Sequence, residues 1–208
     1  MFITLEGPDG SGKTTQVAPL ADFLRQQGYA VYTTREPGGT EIGDQVRSIL
    51  GNLGNTSMNP RTEILLFLAA RAQLVEQEIR PRLARGEIVI SDRYADSTLA
   101  YQGYGHGVDL DLLRQLLNFA TGNLWPDLTI LFNLSAEEGL NRRRNCGGEW
   151  NRLDAYEEAF HQRVQQGYLS LVKQESDRWQ MIDATQDRDT IQAVLREIIL
   201  SRLSSAKK

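Results

Sequence analysis

The sequence predicts an α/β fold, a three-layer sandwich in which helices flank a five-stranded parallel sheet. Three observations predict it. Five short apolar or β-branched runs alternate with longer helical patterns along the 208 residues. Each run is bounded by Gly, Pro or Asp, as strands are. The runs end in polar, glycine-rich or charged text, where an open parallel sheet carries its ligands. Strands that alternate with helices join by right-handed crossovers, which puts helices on both faces of the sheet.

In order, "FITLEG" reads as the first strand, and a helical pattern runs from Lys13 to Gln27. "YAVYTTRE" is the second strand, followed by helical patterns over Glu41 to Leu50 and Pro60 to Arg85. "EIVISD" is the third, and Leu110 to Thr121 the helix after it. Pro126-Asp127 breaks the chain before the fourth strand, "LTILFNL". Helical patterns over Ala136 to Arg144 and Asn151 to Glu175 lead to the fifth, "RWQMID", and Asp189 to Leu203 closes the chain. Neither repeats nor a long linker interrupt this order, so residues 1–208 are expected to form one domain.

Composition excludes several classes. Hydrophobic residues make up 40% and charged residues 24%, as in a globular protein with a sizeable core. The net charge of −4 gives no basic field for a nucleic-acid backbone, so any phosphate binding must be local. The one cysteine, Cys146, excludes an internal disulfide framework. No leader pattern opens the chain and no apolar run approaches the roughly 20 residues that span a bilayer, so a cytoplasmic protein is expected. Only four of the 23 basic residues are lysine, and arginine suits bidentate grasping of phosphates and carboxylates.

The first strand runs into "EGPDGSGKTT". Gly7, Gly12, Lys13 and Thr14 fit G-x-x-x-x-G-K-[ST] between a strand and a helix. Such a loop turns backbone N–H groups toward phosphate oxygens, and the helix N-terminus adds positive charge. Gly7, Pro8, Asp9, Gly10, Ser11, Gly12, Lys13, Thr14 and Thr15 are thus the expected ATP cradle. Lys13 reaches the terminal phosphates and the Thr14 hydroxyl coordinates Mg²⁺. Asp92 ends the third strand, where a second, water-mediated metal ligand is expected, and Arg93 beside it faces the same rim.

A guanine-binding switch should carry N-K-x-D, and this chain has none; after the metal-binding strand the text is "DRYADS" rather than D-x-x-G. A phosphotransferase needs a second anion site opposite the ATP γ-phosphate and cations for the transferred charge. Arg35, Arg71 and Arg93 are placed to supply the first. Arg142, Arg143 and Arg144 follow the fourth strand, and Gly147-Gly148 permit a hinge, so about 140–153 reads as a lid. A kinase for another nucleoside monophosphate or small metabolite and a non-catalytic, regulatory ATP-binding module remain alternatives.

Taken together, "EGPDGSGKTTQ", "TREPGGTEIG", "LLFLAARAQL", "ISDRYADSTLAYQG" and "GGEWNRLD" resemble the bacterial thymidylate kinases, which are P-loop nucleoside-monophosphate kinases. The resemblance runs from about Phe2 to about Leu200. It implies ATP-dependent phosphorylation of dTMP to dTDP, Mg²⁺ and a homodimer. It implies that Phe67 stacks on thymine and that Arg71, four residues on, bonds a base carbonyl. Arg93 would bind the monophosphate. Arg35, Glu36 and Pro37 would form the substrate-side loop, with Arg35 or Arg47 as a further phosphate ligand. Ser97, Thr98, Tyr101 and Gln102 would line base and sugar, with Tyr101 crowding the 2′ position. Asp9 would reach the sugar hydroxyl and help organise the metal site, joining Thr14 and Asp92. Some relatives carry a basic residue where this chain has Gly10, so the catalytic cation is expected from the lid, Arg152 first, with Arg142 to Arg144 beside it. The acceptor is a phosphate anion, so no general base is expected.

Overall fold

The computed structural model describes residues 1–145 and 152–205. Five parallel strands, β1 (Phe2–Glu6), β2 (Val31–Arg35), β3 (Ile88–Asp92), β4 (Leu128–Asn133) and β5 (Trp179–Asp183), pair in the order β2-β3-β1-β4-β5. The expected five-stranded parallel sheet is therefore borne out. Leu5 pairs with Asp92 and Arg35 with Asp92, while Glu6 pairs with Leu131. The carboxyl ends of the strands accordingly meet on one rim, with β1 at the centre.

All of β1 is buried, as a strand covered on both faces must be. Its side chains alternate: Phe2 joins one core, Ile3 and Leu5 the other. The first core lies under α3 (Pro60–Leu74), α6 (Leu110–Thr121) and α8 (Glu158–Gln174). The second is covered by α1 (Lys13–Gln26) and α9 (Arg188–Ser205). By this alternation Glu6 points to the side of Phe2, toward α8. Helix starts follow side-chain caps: Thr40 caps α2 (Glu41–Gly51), Asn59 caps α3 ahead of Pro60, and Asp109 caps α6.

Three stretches depart from the expected elements. The pattern from Pro60 to Arg85 is a continuous helical run, but a π turn at Val75–Ile79 separates α3 from α4 (Arg80–Ala84). Pro81 has no N–H to give Gln77, and the wider turn lies just ahead of it. The stretch "ADSTLAYQGYG" was not expected to be helical; it forms α5 (Ala95–Thr98) and a second π turn, Leu99–Gly105. It has no clean period because both of its sides are buried. Finally, the pattern over Asn151 to Glu175 becomes helical only at Glu158; residues 152–156 are turns, whose side chains bond outward to other elements. Between β4 and this segment runs α7 (Ala136–Asn145).

Candidate active site

The loop after β1 holds its own lysine. Lys13 Nζ donates to Gly7 O at 3.0 Å, Pro8 O at 2.8 Å and Ser11 Oγ at 3.1 Å. Burial, with Arg93 nearby, pushes its pKa down to about 8, against the pull of Asp92, Asp9 and Glu6. Gly12 enters α1 in the left-handed region, φ 86°, and the first turn has no acidic residue, so the helix start is open to an anion. Thr15 closes the turn by donating to Gly12 O at 2.7 Å. Gly10 is pressed against α7: a Cβ there would lie 2.1 Å from Gly139 O, and one on Gly139 would lie 2.5 Å from Asp9 O.

Thr14 Oγ1 donates to Asp92 Oδ2 at 2.5 Å. A hydroxyl and a carboxylate side by side at the rim are hard oxygen donors of the kind Mg²⁺ takes in company with phosphates and water. Among the described residues no group of three or more His, Cys, Asp or Glu forms a protein-only metal cage. Asp9 does not join this pair. Its Oδ1 accepts from Arg93 Nη2 at 2.6 Å and its Oδ2 from Tyr101 at 2.7 Å, which turns it away toward the acceptor side. Burial opposes its ionisation, but Arg93 and Lys13 hold the carboxyl well below the usual range.

Beside the loop opens a cavity of about 670 Å³. Asp9, Glu36, Pro37, Phe67, Arg71, Arg93, Ser97, Thr98, Tyr101 and Gln102, all expected at the acceptor, line it. Arg35 does not: it is exposed at the end of the edge strand β2, while Arg47 lines the cavity and donates to Pro37 O at 2.9 Å. Of the two arginines left open by the sequence, the structure brings Arg47 to the cavity.

The donors of Arg71 can be counted. Its Nε gives to Glu36 Oε2 at 2.7 Å, Nη2 to Tyr94 O at 3.0 Å and to Glu36, and Nη1 to Thr98 at 3.0 Å. A guanidinium has five N–H groups, so one on Nη1 remains for a ligand. Glu36 Oε1 is buried without a partner among the described residues, and burial pushes this carboxyl up despite Arg71.

Arg93 sits in the left-handed region at φ 72°, rare for a residue with a side chain. Nη1 donates to Ser97 at 3.1 Å and Tyr168 at 3.2 Å, Nη2 to Asp9 and to Tyr101 at 3.2 Å. That leaves Nε–H. Beneath lies Glu6, fully buried, its carboxyl pushed up to about 7 by burial and by Asp96, against Arg93 and the hydroxyls of Ser97 and Tyr168.

The lid arginines separate. Arg142 donates to Glu138 at 2.8 Å and to Ala184 O at 2.8 Å, bridging α7 to the end of β5. Arg143 lines the cavity and grips Asp154 through Nε at 3.1 Å to both oxygens. Arg152, the first choice for the catalytic cation, is instead buried against α3. It donates to Glu63 Oε2 at 2.5 Å, Leu50 O at 2.9 Å and Tyr156 at 2.7 Å. Its charge is neutralised by a carboxylate on α3, which makes it an anchor. Gly147 and Gly148, the expected hinge, lie outside the described residues.

Sequence reasoning missed Glu63, which also accepts from Gln102 at 2.7 Å, and missed Glu6 as an acceptor and Tyr168 altogether. Glu63 left a signal: it stands four residues before Phe67 and eight before Arg71, on the same helical face. Tyr168 left none.

Comparison with known proteins follows the same lines. The family model described as thymidylate kinase matches residues 5–198. The thymidylate kinase of Roseiflexus castenholzii is 49% identical over 217 residues, covering 99% of this chain and 95% of the relative. That of Thermomicrobium roseum is 53% identical over 184 residues, covering 88% of this chain and 87% of the relative. The crystal structure of thymidylate kinase from Ehrlichia chaffeensis superposes with a TM-score of 0.78 at 33% identity, covering 96% of this chain and 98% of that one.

Proposed function

The chain belongs to the thymidylate kinase family, and from that premise we propose how its residues transfer a phosphoryl group from ATP to dTMP, giving dTDP. ATP is the donor. Its phosphates take the cradle from Gly7 to Thr15, where Lys13 exchanges loop carbonyls for phosphate oxygens. Thr14 and Asp92 would hold Mg²⁺, which when bound neutralises charge on the phosphates.

dTMP takes the neighbouring cavity. Phe67 stacks on the base, and Arg71 gives its last Nη1–H to a base carbonyl. Cytosine presents an amino group at the position of one thymine carbonyl, so two donors would face each other there. Arg93 offers Nε–H to the monophosphate, which competes with Asp9 for Nη2; Asp9 then accepts from the sugar. Tyr101 crowds the 2′ position. Arg47 supports the acceptor phosphate in place of Arg35. Segment 140–153 is assigned as the lid, with Arg152 as its fixed end. Arg143 is assigned to the transferred charge because it lines the same cavity, and Arg142 to the ATP side. Both substrates are anions, so positioning and charge neutralisation carry the step.

The observation that carries this reading is one cavity with Phe67 and the spare donor of Arg71 on its wall and Arg93 beside the phosphate loop. ADP release should be measured over dTMP, dUMP, dCMP, UMP and AMP. Strong preference for dTMP is expected; turnover without that preference would sink the assignment.

The reading extends to a homodimer. α3 and α6 pack side by side and expose Leu65 at 61% and Phe119 at 88%, an apolar strip suited to a second copy. No helix among the described residues is long and apolar enough to cross a membrane. With a single cysteine, the chain suits the reducing cytoplasm.

A further inference from the structure

Glu6 ends the central strand, fully buried, and no step of the transfer uses it. We propose that Glu6 is a positioning residue: through the hydroxyls of Ser97 and Tyr168 it holds Arg93 turned into the acceptor cavity. The inference rests on the reading of Arg93 as the clamp for the acceptor phosphate.

The direction of the hydrogen bonds carries the argument. Above about pH 7 Glu6 is ionised, and an ionised carboxylate only accepts. Ser97 donates to Glu6 Oε2 at 2.6 Å and Tyr168 donates to the same oxygen at 2.9 Å. The two hydroxyls also stand 3.0 Å from each other, but with their hydrogens committed to the carboxylate both present lone pairs upward, and Arg93 Nη1 gives one N–H to each. The other carboxylate oxygen accepts from the backbone N–H of Tyr94 at 2.7 Å. That bond pins the peptide that follows Arg93, the residue whose own backbone is left-handed. Ser91 and Leu5 hold the other side of the turn, at 2.7 Å to Arg93 O and 3.0 Å from Arg93 N. One carboxylate thus fixes both the unfavourable backbone of Arg93 and the acceptors of its side chain. The strand pattern makes this possible, because only even positions of β1 face α8.

Glu6→Gln tests it. The amide would put N–H groups where Oε2 stood, so Ser97 and Tyr168 would have to accept and turn their hydrogens toward Arg93. Affinities for dTMP, thymidine and ATP are to be measured by calorimetry on folded variants, with thermal unfolding as the fold control. Glu6→Gln is expected to weaken dTMP roughly tenfold and to leave thymidine and ATP unchanged, since only dTMP carries the acceptor phosphate. Tyr168→Phe, a milder change that keeps the ring, should weaken dTMP severalfold with the same selectivity. The double variant should lose less than the product of the two, because Glu6 acts through Tyr168. Equal losses for dTMP and thymidine, or losses that multiply, overturn the proposal. Arg93→Ala separates the two levels. If it costs no dTMP affinity, the clamp reading fails and this inference with it. If it does cost affinity while Glu6→Gln and Tyr168→Phe keep the wild-type dTMP-to-thymidine ratio, only the role of Glu6 falls.

Discussion

Lys13 is occupied by its own loop until a phosphate arrives. Three loop oxygens hold it, and burial lowers its pKa to about 8 from an ordinary value of 10.5. Bound triphosphate favours the charged form and raises that pKa again. Between about pH 8 and pH 10, ATP binding should therefore take up a proton, and ATP affinity should fall as pH rises through that window. Calorimetry at pH 8.5 in buffers of different ionisation enthalpy reads the uptake directly. Zero uptake would mean that the free lysine is already fully charged. Lys13 and Thr14 were legible in the sequence because each sits at a fixed offset in a local motif, Asp92 because it ends a strand, and Phe67 and Arg71 through the family resemblance. Glu6 and Tyr168 were not: they are 162 residues apart, and no spacing rule connects a strand end to the middle of a distant helix.

The segment 152–156 shows what an element adds to its residues. Arg152 reaches α3, Leu153 lines the cavity, and Asp154 is gripped by Arg143 of α7. Neighbouring side chains go to different elements, so the chain turns where a helical pattern predicted helix. Arg152→Ala should cost about 3 kcal/mol of stability, since it leaves the Glu63 charge buried without its main cation. Chemical denaturation measures this; wild-type stability with slowed turnover would return Arg152 to the transfer step. Glu63 gives a second readout. Burial opposes its charge, yet His106, Gln102 and Arg152 bring its pKa down to about 2 from 4.5. A lowered carboxyl stabilises the fold above its unfolded value and loses that stabilisation as pH falls toward its folded one. The stability gap between wild type and Glu63→Gln should hold above pH 4.5 and close between about pH 4.5 and pH 2. A gap that does not change with pH in denaturant titrations would contradict this. By contrast, α6 was legible to the residue, from Leu110 to Thr121, because one face is apolar and Asp109 and Gly122 mark its ends.

At the scale of the molecule, the sheet has two cores, and its rim gathers four loops into one site. Strand count and parallel sense were readable because short apolar runs alternate with helices. The order β2-β3-β1-β4-β5 was not, because pairing depends on contacts that periodicity does not encode. Whole-molecule assembly is testable at Phe119. Phe119→Glu places charge on the exposed strip of α3 and α6 and should shift sedimentation at micromolar concentration from dimer to monomer. A wild type that sediments as a monomer would retire the strip as an interface.

The glycine contact between the phosphate loop and α7 limits how this enzyme can change. Gly10 and Gly139 touch so closely that neither has room for a single added carbon. A cationic side chain at position 10 is therefore not one substitution away; α7 would first have to withdraw.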